Sequence, residues 1–248
     1  MKAEEYERMY RVEDHHWWYA GMRAISAALL ADVGTPARIL DAGCGTGRNV
    51  VELEKLGRAV GVDVSAVPLR LAARRGLTRL AQASISALPF ADGTFDVVTA
   101  FDVLCHSAVA DERAALREVR RVVRPGGWVL LHLPAYPWLR SRHDAAVDNV
   151  RRYSAGGVRT LLSDAGLTVR RLTFANTVLF PLAAAKRLAD RARGTGGHAS
   201  DLIREFRVAG SLFRAALDFE ARLLRHVDLP FGLTLVALAQ RDRPDADR

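Results

Sequence analysis

Arg38-Ile-Leu-Asp-Ala-Gly-Cys-Gly-Thr-Gly-Arg48 decides the fold. An apolar run of strand length, Arg38–Ala42, enters a turn with glycine at 43, 45 and 47, and a helical pattern, Arg48–Leu56, leaves it. Glycine is needed at such a turn because the chain must bend sharply and a ligand must approach the backbone with no Cβ in the way. The G-x-G-x-G spacing alone overlaps the dinucleotide pattern and is a weak signal. Two acids narrow it. Asp41 opens the turn, where a carboxylate would repel a pyrophosphate but would suit a cationic ligand. Asp63 ends the next strand-like run, Ala59–Asp63, and a carboxylate there can accept from both hydroxyls of a ribose.

Outward from the turn, strand-like and helix-like patterns alternate. Thr78–Ala83, Phe95–Phe101 and Trp128–Leu133 read as strands. Ala66–Arg75 and Asp111–Arg124 read as helices, the second halted by Pro125-Gly126-Gly127. Such alternation predicts a parallel sheet covered by helices on both faces. Residues 4–31 read as one helical segment centred on Trp17, Trp18 and Tyr19, ended before Pro36. Past Leu133 the pattern predicts an ordered loop (134–153), a helix (154–165) and a strand (167–174). An apolar helix around Pro181 (176–193), a Gly-rich hinge (194–200), a helix capped by Asp201 and reaching about 226, and a last strand (232–240) follow. The expected divisions are a helical cap at 1–35, a nucleoside-binding core at 36–175, a helical insertion at 176–229, and the last strand and tail at 230–248.

Composition excludes several classes. No run of about 18 apolar residues is present, so no membrane span is expected. The charged, aromatic N-terminus lacks the apolar centre of a signal peptide, and a cytoplasmic protein is expected. Cys44 and Cys105 are too few for a disulfide framework and have no metal-type spacing with histidines, so no metal is expected. The net charge is +8, yet 33 of the 36 basic residues are arginine and they are scattered. That distribution argues against a nucleic-acid partner.

Four blocks resemble, in order and spacing, the class I S-adenosylmethionine-dependent methyltransferases. Asp41-Ala-Gly-Cys-Gly-Thr-Gly47 is similar to the family's first signature and Val62-Asp63-Val64-Ser65 to its second. Leu88-Pro89-Phe90 with Phe95-Asp96-Val97-Val98 resembles the third strand's exit and the fourth strand. Leu116–Gly127 resembles the helix and turn before the fifth. The resemblance implies a doubly wound, seven-stranded, mostly parallel Rossmann-like sheet and S-adenosylmethionine as cofactor. It implies that Asp41 and Gly43 face the methionine moiety, that Asp63 holds the ribose, that Ile85 packs on the adenine, and that Cys44, Gly45, Gly47 and Val64 also belong to the cofactor site. Ser84 stands where the family commonly has an aspartate for the adenine amino group. Phe101 and Asp102, at the fourth strand's exit, are expected near the methyl donor.

The methyl acceptor is expected to be a small or lipid-like molecule, and three segments outside the common core could meet it. The first is His15-His16-Trp17-Trp18-Tyr19, either a lid over the site or a seal of the N-terminal helix against the sheet. The second is Ser141-Arg142-His143-Asp144 with Arg151-Arg152-Tyr153, where His143 would be the general base and the arginines would hold an anionic group. His106 is the rival base. The third is the two-helix insertion before the last strand. Its first helix is apolar nearly all round and must be covered by its own core, a second subunit in a homodimer, a lipid-like acceptor or peripheral contact with a membrane surface. An NAD(P)-dependent Rossmann oxidoreductase shares the glycine turn and the strand-two acid but does not predict the Leu-Pro-Phe and Arg-Pro-Gly-Gly blocks. A nucleic-acid amino-group methylase would carry an Asn/Asp-Pro-Pro-aromatic tetrad where Phe101-Asp102-Val103-Leu104 stands. A non-catalytic S-adenosylmethionine-binding relative would keep the same acids without turnover.

Overall fold

The computed structural model describes residues 1, 3–192 and 210–243. Two helices open the chain, α1 (Ala3–Val12) and α2 (Trp17–Leu30). Strands and helices then alternate: β1 (Arg38–Ala42), α3 (Arg48–Leu53), β2 (Arg58–Asp63), α4 (Ala66–Ala73), β3 (Leu80–Gln82), β4 (Phe95–Phe101), α5 (Glu112–Val122) and β5 (Val123–Pro134). After β5 come a short helix α6 (Arg142–Ala146), α7 (Ala155–Asp164), β6 (Thr168–Ala175), α8 (Phe180–Ala192), α9 (Gly210–Leu223) and β7 (Thr234–Gln240). The hinge expected at 194–200 and the cap expected at Asp201 lie outside the described residues.

The seven strands form one sheet in the order β3-β2-β1-β4-β5-β7-β6. All neighbours from β3 to β5 are parallel, and β7 runs antiparallel to both β5 and β6. The chain works outward from β1 to β3 and then returns to place β4 on the other side of β1. That reversal opens a crevice at the carboxyl ends of β1 and β4, where an open α/β sheet binds its ligand.

Strand alternation separates two cores. Leu40, Val98, Leu131 and Ala237 face α5 and α7 through Leu116, Val119 and Leu162. Ile39, Val97, Leu130 and Val236 face the other way, toward Ile25 and Leu29 of α2 and Leu217 of α9. Helix α9 lies against α2 because residue 21 is glycine: a Cβ there would stand 2.6 Å from Leu217 Cβ. No helix among the described residues is long and apolar enough to cross a membrane.

The N-terminal segment departs from the single helix expected over 4–31. It breaks at 13–16. His16 is extended (φ −68°, ψ 127°) and its Nδ1 accepts the N–H of Trp18 at 3.3 Å, capping α2. The run Glu-Asp-His-His that makes this break carries neither glycine nor proline, so the usual punctuation is missing. The apolar helix read from 176 begins instead at Phe180. Asn176 takes a left-handed φ of 61°, and Glu220 of α9 accepts the backbone N–H groups of residues 176, 177 and 178. The loop read over 134–153 holds α6 and a turn of 3₁₀ helix at Pro137–Leu139.

Candidate active site

The glycine turn follows β1. Gly43, Gly45 and Gly47 have φ of +90°, +52° and +82°. A Cβ at Gly43 would also lie 2.2 Å from Val103 Cγ2, so both the dihedral and the neighbouring loop require glycine. The Gly43 and Cys44 N–H groups donate to Val62 O at 2.7 and 2.8 Å, which ties the turn to the end of β2. Asp63 completes the join: Oδ2 accepts Gly45 N–H at 3.0 Å and Oδ1 accepts Ser65 N–H at 2.9 Å. Burial pushes its carboxyl above the usual range, against those hydrogen bonds. Each oxygen keeps a further lone pair for a ligand hydroxyl.

Asp41 is 1% exposed, and Thr99 Oγ1 donates to its Oδ1 at 2.7 Å. Its Oδ2 is buried and meets no hydrogen-bond partner among the described residues. Burial raises the carboxyl to about 7, helped by the Asp63 charge. A buried, unpartnered carboxylate oxygen is costly by itself and is relieved by a cation brought to it. The methionine ammonium of S-adenosylmethionine is such a cation, so the donor set fits the cofactor that the sequence implies. Sequence reading missed Thr99; the parallel register of Asp41 with Thr99 puts them side by side.

The other expected cofactor positions line the same sheet edge. Val64, just past β2, is 52% exposed. Ser84 Oγ accepts the Ser86 N–H at 3.1 Å, and Ile85 is buried. Cys44 is buried, which raises its thiol pKa. Phe101 stacks on His132 at 4.1 Å, and burial depresses His132 to about 3, leaving it neutral. His132 Nε2 meets Ser26 Oγ of α2 at 3.1 Å. Asp102 has φ 56°, and burial raises its carboxyl to about 6.

Helix α1 crosses the mouth of this site. Met9 Cε lies 3.3 Å from where a Gly45 Cβ would be, and the Tyr6 hydroxyl feels the charge of Asp63. Arg75, two residues past α4, latches the break between α1 and α2. It reaches both oxygens of Asp14 at 3.0 Å, Glu13 at 2.7 Å, Tyr10 O at 3.2 Å and Thr46 O of the glycine turn at 3.0 Å. Its guanidinium also sits 4.3 Å over the Tyr10 ring. Glu13, itself buried, accepts from the Thr46 hydroxyl. These residues were absent from the expected site, because nothing in local sequence joins residue 75 to residues 10–14.

The expected acceptor residues are dispersed. Trp17 packs on Phe213 of α9 (5.2 Å), and its buried indole N–H has no partner among the described residues. Trp18 meets Tyr19 edge to face at 5.0 Å. Burial, with charge from Glu13 and weakly from Asp102, holds the Tyr19 phenol up at about 12. Arg152 donates to both oxygens of Asp144 at 3.0 and 2.8 Å and to Ala135 O at 2.9 Å. Arg151 reaches Leu104 O and Ala110 O, and the Tyr153 hydroxyl donates to Glu112 at 2.8 Å. His106 Nδ1 accepts Ala108 N–H at 3.1 Å, and burial lowers its pKa, so the ring is neutral at pH 7. His143 belongs to α6, and its side chain lies outside the described set.

Comparison with known proteins names the domain. Residues 40–131 match the methyltransferase domain family model, which runs from β1 through most of β5. Demethylmenaquinone methyltransferase of Mycobacterium tuberculosis H37Rv is 38% identical over 120 residues, covering 48% of this chain and 47% of that protein. An uncharacterized methyltransferase of Schizosaccharomyces pombe is 34% identical over 169 residues, covering 60% and 59%. This chain therefore spans about half the length of the curated relatives it matches. A solved S-adenosylmethionine-dependent methyltransferase from Thermotoga maritima superposes with a TM-score of 0.58 at 17% identity, covering 96% of both chains, and shows the shared fold. Residues 40–131 of the chain therefore carry a methyltransferase domain.

Proposed function

We propose that this chain binds S-adenosylmethionine and transfers its methyl group to a small or lipid-like acceptor, leaving S-adenosylhomocysteine. The observation that carries the reading is the buried Oδ2 of Asp41, without a partner among the described residues, at the head of a turn whose three glycines all have positive φ. A nicotinamide dinucleotide would bring a pyrophosphate to that carboxylate and be repelled. When bound, the cofactor supplies a methyl group on a sulfonium, an excellent leaving group, so alignment is the main task left to the protein.

In this reading Asp41 takes the ammonium, the glycine turn from Gly43 to Gly47 with Cys44 lies along the methionine moiety, and Asp63 accepts from the ribose hydroxyls. Val64, Ser84 and Ile85 surround the adenine, and Phe101 and Asp102 border the methyl group. Helix α1, held down by Arg75, keeps water from the site. Arg151, Arg152 and Tyr153 act by holding the loop after β5 in shape, since their polar groups are engaged by Leu104, Ala110, Asp144, Ala135 and Glu112. His143 is the base for an acceptor that must lose a proton. His106 is the weaker candidate, because its Nδ1 is engaged by the Ala108 N–H.

A lipid-like acceptor suits the aromatic cluster beyond β5. Tyr136 stacks on Phe174 at 5.4 Å and touches Phe180 at 5.3 Å, while Trp138 and Phe231 of the same cluster are exposed. The relative whose name specifies a substrate acts on demethylmenaquinone, so reduced demethylmenaquinone is the first acceptor to try. Calorimetry with S-adenosylhomocysteine and with NAD tests the cofactor. We expect binding of the first alone, and Asp63→Ala to weaken it by about 1–3 kcal/mol. Binding of NAD without S-adenosylhomocysteine would overturn the reading. Binding of S-adenosylhomocysteine with no turnover on any acceptor would favour the non-catalytic alternative.

A further inference from the structure

Five aromatic rings meet where β5, β6 and β7 reach the carboxyl edge of the sheet. Tyr136 lies two residues past β5, Phe174 near the end of β6, Phe180 at the start of α8, and Phe231 three residues before β7. The Phe180 ring centroid is 5.3 Å from Tyr136, 6.3 Å from Trp138 and 5.6 Å from Phe231. The Thr177 hydroxyl donates to Phe231 O, which ties the start of α8 to the approach to β7. One turn of 3₁₀ helix, Pro137–Leu139, buries Leu139 and leaves Trp138 exposed. Val178 and Leu182 flank Phe180 in sequence, and Trp138, Val178, Leu182 and Phe231 are 38% to 54% exposed. Single exposed apolar side chains are ordinary on a protein surface, but a joined group of them marks a surface with a partner.

The chemistry of the patch says which partner. It is built from segments 136–140, 176–182 and 229–232, and none of the three contains Asp or Glu. Each contains an exposed proline, at 137, 181 and 230, which has no N–H to strip of water. Arg140 is exposed and in no ion pair among the described residues, while Asp144, the next acid along the chain, is buried on Arg152. Asp228, just before the third segment, is held by Arg171. The sequence that follows Leu182 adds Lys186, Arg187, Arg191 and Arg193 against Asp190 alone over residues 183–193, and the whole chain carries +8. An aromatic, apolar surface with cations and without acids complements a bilayer with anionic headgroups. There tryptophan settles at headgroup depth and arginine meets phosphate. No helix among the described residues is long and apolar enough to cross, so the contact is with the bilayer surface.

We propose that this patch docks the protein on an anionic lipid bilayer. Trp138, Val178, Leu182 and Phe231 enter the headgroup layer, and Arg140 meets lipid phosphate. Asp41 and Asp63 stand toward the carboxyl ends of β1 and β2, on the same edge of the sheet. Docking therefore brings the edge that carries the candidate methyl-donor site to the membrane. The surface deepens the reading of a lipid-like acceptor and rests on it only for what the docked protein takes from the bilayer.

Flotation of the full chain with vesicles tests the docking. Wild type should bind vesicles of equal parts phosphatidylglycerol and phosphatidylcholine at least about tenfold better than phosphatidylcholine alone, and added salt should weaken it. Val178→Asp with Leu182→Asp should lose about tenfold or more, and Arg140→Glu several-fold. A carboxylate at 182 suits the first turn of α8, and an unchanged melting temperature shows that the double variant keeps its fold. Brominated phosphatidylglycerol should quench the tryptophan fluorescence of wild type and do so less in Trp138→Phe, which reads the same contact with no added charge. Wild type that stays off both vesicles or binds both alike, or a double variant that binds as well as wild type, would overturn the proposal. So would a concentration-dependent dimer that the double variant splits while neither protein floats, since the patch would then belong to a second copy of this chain. Flotation needs neither cofactor nor acceptor. Vesicle binding without methyl transfer to any lipid-like substrate would sink the acceptor reading and leave the docking surface standing.

Discussion

Asp41 and Asp144 are both buried carboxylates near the carboxyl ends of strands, 1% and 2% exposed, and the protein treats them in opposite ways. Asp144, past β5, has both oxygens on Arg152, and its Oδ2 also accepts from the Ser141 backbone and hydroxyl. Asp41, past the middle of β1, has one hydroxyl on one oxygen and no partner among the described residues on the other. Burying a charge is tolerable when it is paired and expensive when it is not. The first region has completed itself and the second is waiting for a partner.

The largest expected effect breaks the open side of that contrast. Asp41→Asn keeps an oxygen for the Thr99 hydroxyl but removes the charge. It should weaken S-adenosylhomocysteine binding about 100-fold, the scale of a lost charge-assisted contact. It should also stabilise the unliganded protein on the alkaline side. Asp41 ionises at about 7 when folded and at about 4 in an unfolded chain. Its favourable contribution is therefore full below pH 4 and is lost as the pH rises through 7. Thermal melts should show the mutant equal to wild type near pH 4 and ahead of it by roughly 2–4 kcal/mol at pH 8. Melts that stay parallel across that range would mean that Asp41 is not strained.

The closed side breaks differently. Arg152→Ala leaves Asp144 buried without its counter-charge, which should cost about 3–5 kcal/mol of stability. Chemical denaturation reads that directly. An Arg152 that instead held an anionic acceptor would leave stability nearly untouched and raise the acceptor KM. Arg152→Ala with Asp144→Asn should recover part of the loss, because the stranded charge goes with its partner.

How legible each region was follows from the same physics. Asp41, the three glycines and Asp63 could be read from sequence because one turn and one strand set them, and the sheet register carries them together. Helices between β6 and β7 were legible as well, and among the described residues α8 and α9 stand there. Arg75 and Glu13 were not, because their contacts depend on α1 and α2 folding back across the turn. That path depends on the break at residues 13–16, which lacks glycine or proline to announce it. Arg151 and Arg152 were read as ligand-binding because a pair of arginines looks alike in sequence whether an anion comes from the protein or from outside. Only their partners distinguish the two.

Trp17 gives the smallest and most discriminating comparison, because it belongs to both descriptions. Its ring is packed on Phe213 as a structural residue would be, yet its buried indole N–H has no partner among the described residues, as in a site awaiting a ligand. Trp17→Phe keeps an aromatic ring on Phe213 and deletes the N–H. Removing an unsatisfied donor relieves about 1–3 kcal/mol of desolvation, while the lost ring volume costs a similar amount. The net change in stability should lie within about 1 kcal/mol. Turnover on reduced demethylmenaquinone should then show a KM raised several-fold with unchanged S-adenosylhomocysteine affinity, because an acceptor oxygen loses its donor. A mutant that melts well below wild type with the same KM would make Trp17 a seal between α2 and α9 and move the acceptor's polar contact to another residue.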